Sequence, residues 1–339
     1  MEKKSDLNHP DRWLKDLPAK SEPQGFKPEE MATCEKCGRT SPPTRAACFY
    51  CGANLPASEL QDKYLKLNLR KLEEWEKGFN VIFLLGEKKI DTTKLSEIAA
   101  FLKFENEDLQ KIIEAEKPLP LARCESRVEA EIIAKRLAEN EIESKIVGDE
   151  QLELETVTRR LRGIEIFDDI FVFILFNADE IAEIKFEDVA LIVVGAFFER
   201  RIESIESIRR KAEKKVLDSS ETGTDELLID IYPKENLNGY RIESKGFDFS
   251  CLGAEKSLLA RENMKKLAEM LRSLSPNAGF DNDYLRVRAE LGKVWEVQEK
   301  TDAGGVNRPM LSGFKRTNIT TINNLTQFTR YSRLQRHLL

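Results

Sequence analysis

The sequence of 339 residues is poor in histidine, with only His9 and His337, which lie at opposite ends of the chain. A serine or cysteine nucleophile that needs a histidine base would have to recruit it from one of these terminal segments. The sequence also has no phosphate-binding glycine loop, no dinucleotide-binding glycine pattern and no Gly-x-Ser-x-Gly turn. These absences predict a protein that is not an enzyme.

Carboxylates stand close together in two short stretches, FDD at 167–169 and FDND at 280–283. Acids that are adjacent in sequence are typical of turns, where their side chains bond to nearby backbone. We interpret both stretches as turns. Catalysis or Mg²⁺ binding is the alternative, but no other residue pattern supports it.

Long apolar runs are also missing. No stretch approaches the roughly eighteen apolar residues that a membrane-spanning helix needs, and 170–176 and 189–198 have the length of buried strands. The first thirty residues are polar and rich in charge and proline, unlike a secretory signal. We therefore expect a disordered leader over 1–30, no membrane insertion and a reducing cytoplasmic location.

Cysteine is scarce overall but concentrated at one place: four of the six lie in CEKCGRTSPPTRAACFYCG, residues 34–52. Two Cys-x-x-Cys pairs with a turn-rich connection can bring four thiolates to one tetrahedral ion, and Gly38 and Gly52 permit the close backbone turns. We predict a zinc ribbon over 31–56 that holds one structural Zn²⁺. The predicted ligands are Cys34, Cys37, Cys48 and Cys51.

Two alternatives concern the thiols. A pair of thioredoxin-like redox motifs is disfavoured, because no strand-then-helix pattern surrounds either Cys-x-x-Cys. The remaining cysteines, Cys124 and Cys251, lie in predicted strands and are interpreted as small buried hydrophobic residues. A reactive thiol is the other possibility for each.

After the ribbon, residues 57–78 are predicted to form a linker helix that begins near Ser58 and ends at Gly78. A compact β-α-α-β-α-β order follows over 79–150. Its third helix has a capping box formed by Ser126 and Glu129. The predicted elements are a strand at 79–85, helices at 91–103 and 105–115, an extended segment at 117–125, a helix at 126–142 and a strand at 143–149.

The motifs FNVIF, LSEIAAFL, LQKIIE, PLPLA, SRVEAEIIAKRLAENEI and SKIV resemble, in this order, the C-terminal domain of the bacterial ribosomal stalk protein and the related Clp-protease adaptor fold. The resemblance implies the fold. It does not imply binding of translation factors, because Phe101, Phe104 and acids stand where the stalk domain has a glycine- and lysine-rich face. A generic split β-α-β domain is the alternative.

Residues 159–275 contain about seven strand-like segments followed by an amphipathic helix at 257–274. This layout, with the segment IKFEDVALIVVG, resembles a pleckstrin-homology-like (PH-like) β-barrel capped by its C-terminal helix. Residues 204–226 are predicted to form a charged insertion, either a helix or a ribbon with a loop. The resemblance implies protein binding more than lipid binding, because acids directly follow the first strand.

The net charge is −6, yet no Asp or Glu occurs from 304 to the last residue. We predict a helix at 281–295, a flexible connection at 301–318 and a basic amphipathic helix at 324–339. Such a tail can dock on an acidic surface, its own or another protein's, or stack bases between its aromatic and basic residues. Five residues of this 276–339 segment are predicted to bind a partner: Phe328, Arg330, Tyr331, Arg333 and Arg336.

The sequence thus predicts an α+β multidomain protein made of a zinc ribbon, a small α/β domain and a PH-like domain. The predicted function is that of a non-enzymatic, zinc-binding adaptor or scaffold subunit that mediates protein–protein interactions in a cytoplasmic complex. The alternative is a ribosome- or RNA-associated factor that uses the ribbon and the basic tail. An enzyme whose active site is completed by a partner chain is a third possibility.

Overall fold

The computed structural model describes residues 25–56, 69–73, 76–85, 91–176, 180–208, 215–235, 238–307 and 314–339. The chain divides into two compact units, Met1–Lys66 and Leu67–Leu339. Most of the predicted leader, 1–24, lies outside the described residues, as does the first half of the predicted linker helix.

The first unit is a small clip, residues 25–56, built around two tight turns. A short helical turn, Pro28–Glu30, precedes two antiparallel strands, β1 (Ala32–Thr33) and β2 (Thr40–Ser41). Its apolar core consists of only Cys34, Cys48 and Leu55. A segment with so little buried apolar surface needs another source of stability, such as a bound metal.

The second half of the predicted linker helix is not helical. Residues 69–73 and 76–78 run as an irregular segment in which Leu69 packs on an apolar core of the second unit, which we call the body. Arg123 donates hydrogen bonds to the carbonyl oxygens of Leu72 and Glu76, and Gly78 N–H bonds to Asp149. These long-range bonds satisfy the backbone groups that a helix would have paired internally, so tertiary contacts override the helical periodicity.

The second unit begins with a small α/β region. Its elements are β3 (Phe79–Phe83), α1 (Thr92–Leu102), α2 (Asn106–Glu114), β4 (Leu119–Cys124), α3 (Arg127–Glu139) and β5 (Ser144–Gly148). The strands form an antiparallel sheet of order β4-β3-β5, with β4 at an edge, the position that its Pro120 favours. Ser126 and Glu129 form the expected capping box of α3.

A large curled sheet of nine strands follows. The strands are β6 (Arg159–Phe167), β7 (Ile170–Leu175), β8 (Ile181–Lys185), β9 (Val189–Ile208), β10 (Lys215–Pro233), β11 (Tyr240–Glu243), β12 (Gly279–Asp281), β13 (Gln298–Asn307) and β14 (Phe314–Asn323). Their order is β13-β14-β9-β10-β11-β6-β7-β8, and β12 pairs in parallel with β9. Residues 276–339 therefore extend the sheet of 159–275 rather than following it as a separate segment.

The outer half of this sheet is a polar, four-stranded ribbon. Of the two alternatives for 204–226, the ribbon is the one observed, because β9 and β10 continue into it. The predicted flexible connection at 301–318 was wrong over most of its length, since β13 and β14 pair there. The β-branched Thr and Ile residues of β14 suit a pleated strand, although the glycines before them favoured a loop.

Helices cover both faces of the inner half of the sheet. On one face, α4 (Ala260–Leu274) buries Met264, Leu267 and Leu271 in a core with β6, β7, β9 and β10. On the other face lie α5 (Tyr284–Leu291) and α6 (Leu325–His337), which share a second core with the small α/β region. Alternation along β10 explains the two cores: Leu228 and Tyr232 face one, Ile229 and Ile231 the other.

Within the described residues, the helices are all too short or too polar to traverse a bilayer.

Candidate metal centre

The four clustered cysteines meet at one point in the clip. All four Sγ atoms lie within 4.8 Å of one another, with 3.6 Å between Cys34 and Cys51 and 3.6 Å between Cys37 and Cys48. A tetrahedral ion with metal–sulfur bonds of about 2.3 Å would hold its sulfurs about 3.8 Å apart. The cysteines can therefore bind a single metal ion with little movement.

Each Cys-x-x-Cys-Gly segment forms the same turn. The Gly38 N–H donates to the Cys34 carbonyl at 2.8 Å, and the Gly52 N–H donates to the Cys48 carbonyl at 3.0 Å. Gly38 and Gly52 have φ of 69° and 70°, in the left-handed region that other residues rarely adopt. The repeat explains why a glycine follows the second cysteine of each pair.

Hydrogen bonds prepare one of the thiols for metal binding. Burial acts to raise the pKa of Cys48, but bonds from the Tyr50 and Cys51 amides and the Ser41 hydroxyl outweigh it and lower the pKa to about 6. At Cys37 the Arg39 amide lowers the pKa, whereas burial and the three neighbouring thiols raise it to about 11. A cluster that mixes thiolate and thiol in this way releases protons when an ion binds, because metal ligands must be deprotonated.

Two aromatic residues protrude between the ligands of the second turn. Phe49 is 63% exposed and Tyr50 is 56% exposed, and their rings meet edge to face at 5.5 Å. The Arg45 guanidinium lies 4.8 Å from the Phe49 ring centre, and Arg39 lies 4.8 Å from that of Tyr50. We call Arg39, Arg45, Phe49 and Tyr50 the aromatic tip. Sequence reasoning weighed only the charges of this segment and missed its aromatics.

Four of the five residues predicted to bind a partner through the basic tail lie inside the molecule, and the fifth, Arg336, is half-buried. Phe328 and Tyr331 are fully buried, and Arg330 and Arg333 are nearly so. The amphipathic helix was predicted correctly, as α6, but its exposure was not. The tail was expected to dock either on the protein's own surface or on that of a partner. In the structure it packs against its own chain.

The arginines of α6 are held by acceptors from distant parts of the chain. Arg330 donates to Asp149 Oδ1 at 2.7 Å, and the same carboxylate accepts from Arg123 and Asn80.

The other two arginines of α6 bind backbone oxygens. Arg333 donates to the carbonyl oxygens of Leu152, Glu153 and Thr156. Arg336 donates to those of Pro233 and Lys234. The positive charge of the helix is thus used to join the small α/β region to the sheet.

A second buried ion pair lies beneath α6. Arg241 on β11 donates two hydrogen bonds to Asp230 on β10, at 2.7 and 2.8 Å, and its guanidinium lies 5.1 Å from the Phe328 ring centre. Asp230 is 0% exposed and Arg241 is 5% exposed. Each residue is isolated among apolar neighbours in sequence, which was the available signal that both are buried as a pair.

Hydroxyl and amide groups complete the contact between α6 and its neighbours. Tyr232 and Ser332 bond through their hydroxyls at 2.9 Å, and Tyr284 donates to Gln327 at 2.9 Å. Gly195 on β9 allows the Phe328 ring to approach the strand, since a Cβ at that position would clash with the ring. Through these contacts α6 packs inside the second unit and connects its elements.

A cleft of about 1230 Å³ opens beside α6. Three arginines line it, and each is paired with a carboxylate: Arg160 with Glu243, Arg241 with Asp230, and Arg330 with Asp149. Lys77 on its rim pairs with Glu150 and Glu155. Each basic side chain that lines the cleft is therefore paired with a carboxylate of the same chain.

The acidic stretches serve the fold. Residues 168–169 form the turn between β6 and β7, as predicted, with Asp168 at a φ of 45°. Asp281 accepts a hydrogen bond from the Tyr331 hydroxyl at 2.8 Å, and Lys117 lies 3.0 Å from both Asp281 and Asp283. These bonds anchor α6 and the small α/β region to β12.

The two remaining cysteines differ from each other. Cys124 lies in β4 and is buried, as expected, and burial raises its pKa to about 12. Cys251 lies in a 3₁₀ turn, Phe249–Glu255, rather than in a strand, and burial raises its pKa to about 11. Raised pKa values keep both in the unreactive thiol form at neutral pH.

No protein-family model matches the chain, and comparison with curated proteins and with solved structures gives no match.

Proposed function

We propose that this protein is a non-enzymatic adaptor or scaffold subunit of a cytoplasmic complex, and that its zinc-bound clip contacts a protein partner through the aromatic tip. The exposed Phe49–Tyr50 pair carries this proposal. Aromatic residues and arginine are the residues that contribute most to protein–protein binding. A metal-bound turn would hold these side chains rigidly, which reduces the entropy lost on binding.

Zinc is the metal we propose, because an all-thiolate tetrahedral site without water is the form of structural zinc sites. The ion would hold the turn that presents Phe49 and Tyr50. We further propose that the small α/β region is stalk-like and that the curled sheet with α4 is a PH-like half-barrel. Both then form the body of the scaffold.

Charge favours a protein over a nucleic acid as the partner. Residues 25–56 carry four basic side chains, Lys27, Lys36, Arg39 and Arg45, against three acidic ones. Four thiolates on a divalent ion add two negative charges, which leave the metal-bound clip slightly acidic. A phosphate backbone would gain little from such a surface. The basic helix α6, which was the other support for RNA binding, is buried.

The proposal is tested by affinity capture with the full chain from a native lysate. We expect the variant Phe49→Ala/Tyr50→Ala to lose its specifically captured proteins while it keeps one equivalent of zinc. The control is Phe167→Ala, which removes a ring of similar exposure, 56%, from the end of strand β6 in the second unit.

Capture that the tip variant leaves unchanged would contradict the proposal. Capture abolished by ribonuclease, with loss of co-sedimenting ribosomes, would favour the RNA-associated alternative instead.

A further inference from the structure

The polar ribbon ends in a strand with a free edge. Strand β13 pairs with β14 on one side, and no other strand of the described residues pairs with its outer side. Residues 298–303, which precede an irregularity between Ala303 and Val306, therefore present N–H and C=O groups outward at alternate positions. Such an edge is a ready template for another strand.

The charges on this edge are arranged in a self-complementary way. In an antiparallel pairing of β13 with a second β13, centred on Thr301, each Lys300 lies directly opposite Asp302 of the other copy. Thr301 then faces Thr301. Opposite charges and threonine pairs across antiparallel strands are both favourable. From this pattern we propose that a second copy of this chain adds to β13, which makes a symmetric dimer with one continuous sheet.

The side chains that would meet are available. Lys300 and Asp302 lie on one face of the ribbon, 3.4 Å apart, and their side chains are 77% and 62% exposed. In the dimer, the two intrachain pairs and the two cross-strand pairs form a square of alternating charge. Thr301 lies on the opposite face, where its hydroxyl bonds to Thr320 of β14 at 3.0 Å. This bond fixes the central threonine of the proposed pairing to the inner strand.

The other free edge of the ribbon, on β10, has the opposite character. A pairing of β10 with itself, centred on Gly223, would place Glu221 opposite Asp225, and like charges across strands are unfavourable. Both acids already bind arginines of their own chain, Arg200 and Arg288. If β13 is the only edge that pairs with a second copy, the assembly stops at a two-fold dimer and does not extend into a fibre.

Charge exchange tests the proposal on the full-length, zinc-loaded protein. The mass in solution is measured by sedimentation at increasing concentration, with reductant present so that the exposed cysteines cannot cross-link. We expect the wild type to dimerise. The variants Lys300→Asp and Asp302→Lys each turn two attractive pairs into repulsive ones, so each alone should dimerise about 30-fold more weakly.

The decisive measurement is made on an equal mixture of the two variants. A Lys300→Asp chain is complementary to an Asp302→Lys chain, so an equal mixture should recover the dimer as a heterodimer. Arg201→Asp and Glu203→Lys form the matched control, because this 2.9 Å pair has the same spacing on the inner strand β9. Both control variants should dimerise like the wild type.

A wild type that remains monomeric up to its solubility limit would overturn the proposal, because the charges would then only protect the edge. A dimer that both exchanges leave unchanged, or a mixture that fails to recover it, would overturn it equally.

Discussion

The clip and the body of this protein are stabilised in opposite ways. The clip buries three apolar residues and brings four thiols together, whereas the body has two large apolar cores on the two faces of one sheet. In the clip, one bound ion would replace a core. In the body, a helix with buried arginines joins elements that are far apart in the chain.

The comparison shows how differently polar groups can serve stability. Thiolates in the clip would be stabilised by an ion taken up from the solvent, and the stability of the clip would then depend on the metal concentration. The buried ion pairs of the body need no ligand, but each partner depends on the other, since a charge left alone in an apolar interior is costly. Removal of one polar group should therefore have different consequences in the two units.

The largest expected effect is on the clip. Cys34→Ser removes one of four ligands, and the apparent free energy that structural zinc contributes to such sites is ~10–16 kcal/mol at neutral pH. We expect loss of one zinc equivalent and unfolding of residues 25–56, with the thermal transition of the body unchanged. Metal analysis, limited proteolysis and calorimetry measure these three results.

Cys251→Ser is the control for that experiment, because Cys251 lies outside the cluster. A wild type that binds no metal, or a body that unfolds together with the clip, would contradict the contrast between the two units.

A smaller effect is expected in the body. Arg241→Ala leaves Asp230 buried without its partner, which should cost about 3–5 kcal/mol in the free energy of unfolding. The double variant Asp230→Leu/Arg241→Met removes both charges and should recover most of that loss. Chemical denaturation monitored by fluorescence measures each value.

The exposed pair Arg200–Glu221 supplies the comparison, since Arg200→Ala should cost at most about 1 kcal/mol. Equal losses at Arg241 and Arg200 would show that the buried pair contributes no more than a surface one.

The smallest effect concerns the irregular segment that begins the second unit. Hydrogen bonds from Arg70 lower the pKa of Glu76 from 4.5 to about 2. A lowered pKa stabilises the folded segment above pH 4.5, and this contribution is lost as the pH falls towards 2. Hydrogen exchange of the Glu73 amide, which donates to Glu76 at 2.8 Å, should be faster in Glu76→Gln than in the wild type at neutral pH. The difference between the two rates should shrink as the pH falls through 2, where half of the wild-type Glu76 is protonated. A difference as large at pH 2 as at neutral pH would contradict the assignment.

Features that depend on a local pattern could be predicted from the sequence, whereas features that depend on contacts between distant positions could not. The clip was predictable because its ligands and turns lie within nineteen residues, and the spacing of cysteine and glycine is a local pattern. The small α/β region was also predictable, since its helices have clear apolar stripes and Ser126 caps one of them.

The position of α6 was not predictable in this way. Its periodicity indicated a helix, but the acceptors of its arginines stand far away: Asp149 is separated by 181 positions from Arg330. Composition alone cannot distinguish a basic face that awaits a partner from one that is matched inside the fold. Strand β14 was missed for a related reason, because its polar residues become a strand only through pairing with β9.

The distances in sequence that α6 spans have a kinetic consequence. Ser332 bonds to a tyrosine 100 positions earlier, and Trp295, which neighbours the same core, bonds to Asn80 across 215 positions. Contacts of this range close slowly, because chain entropy must be lost before they contribute. The small α/β region and the sheet should collapse early, and the docking of α6 should be the late, rate-limiting step of refolding.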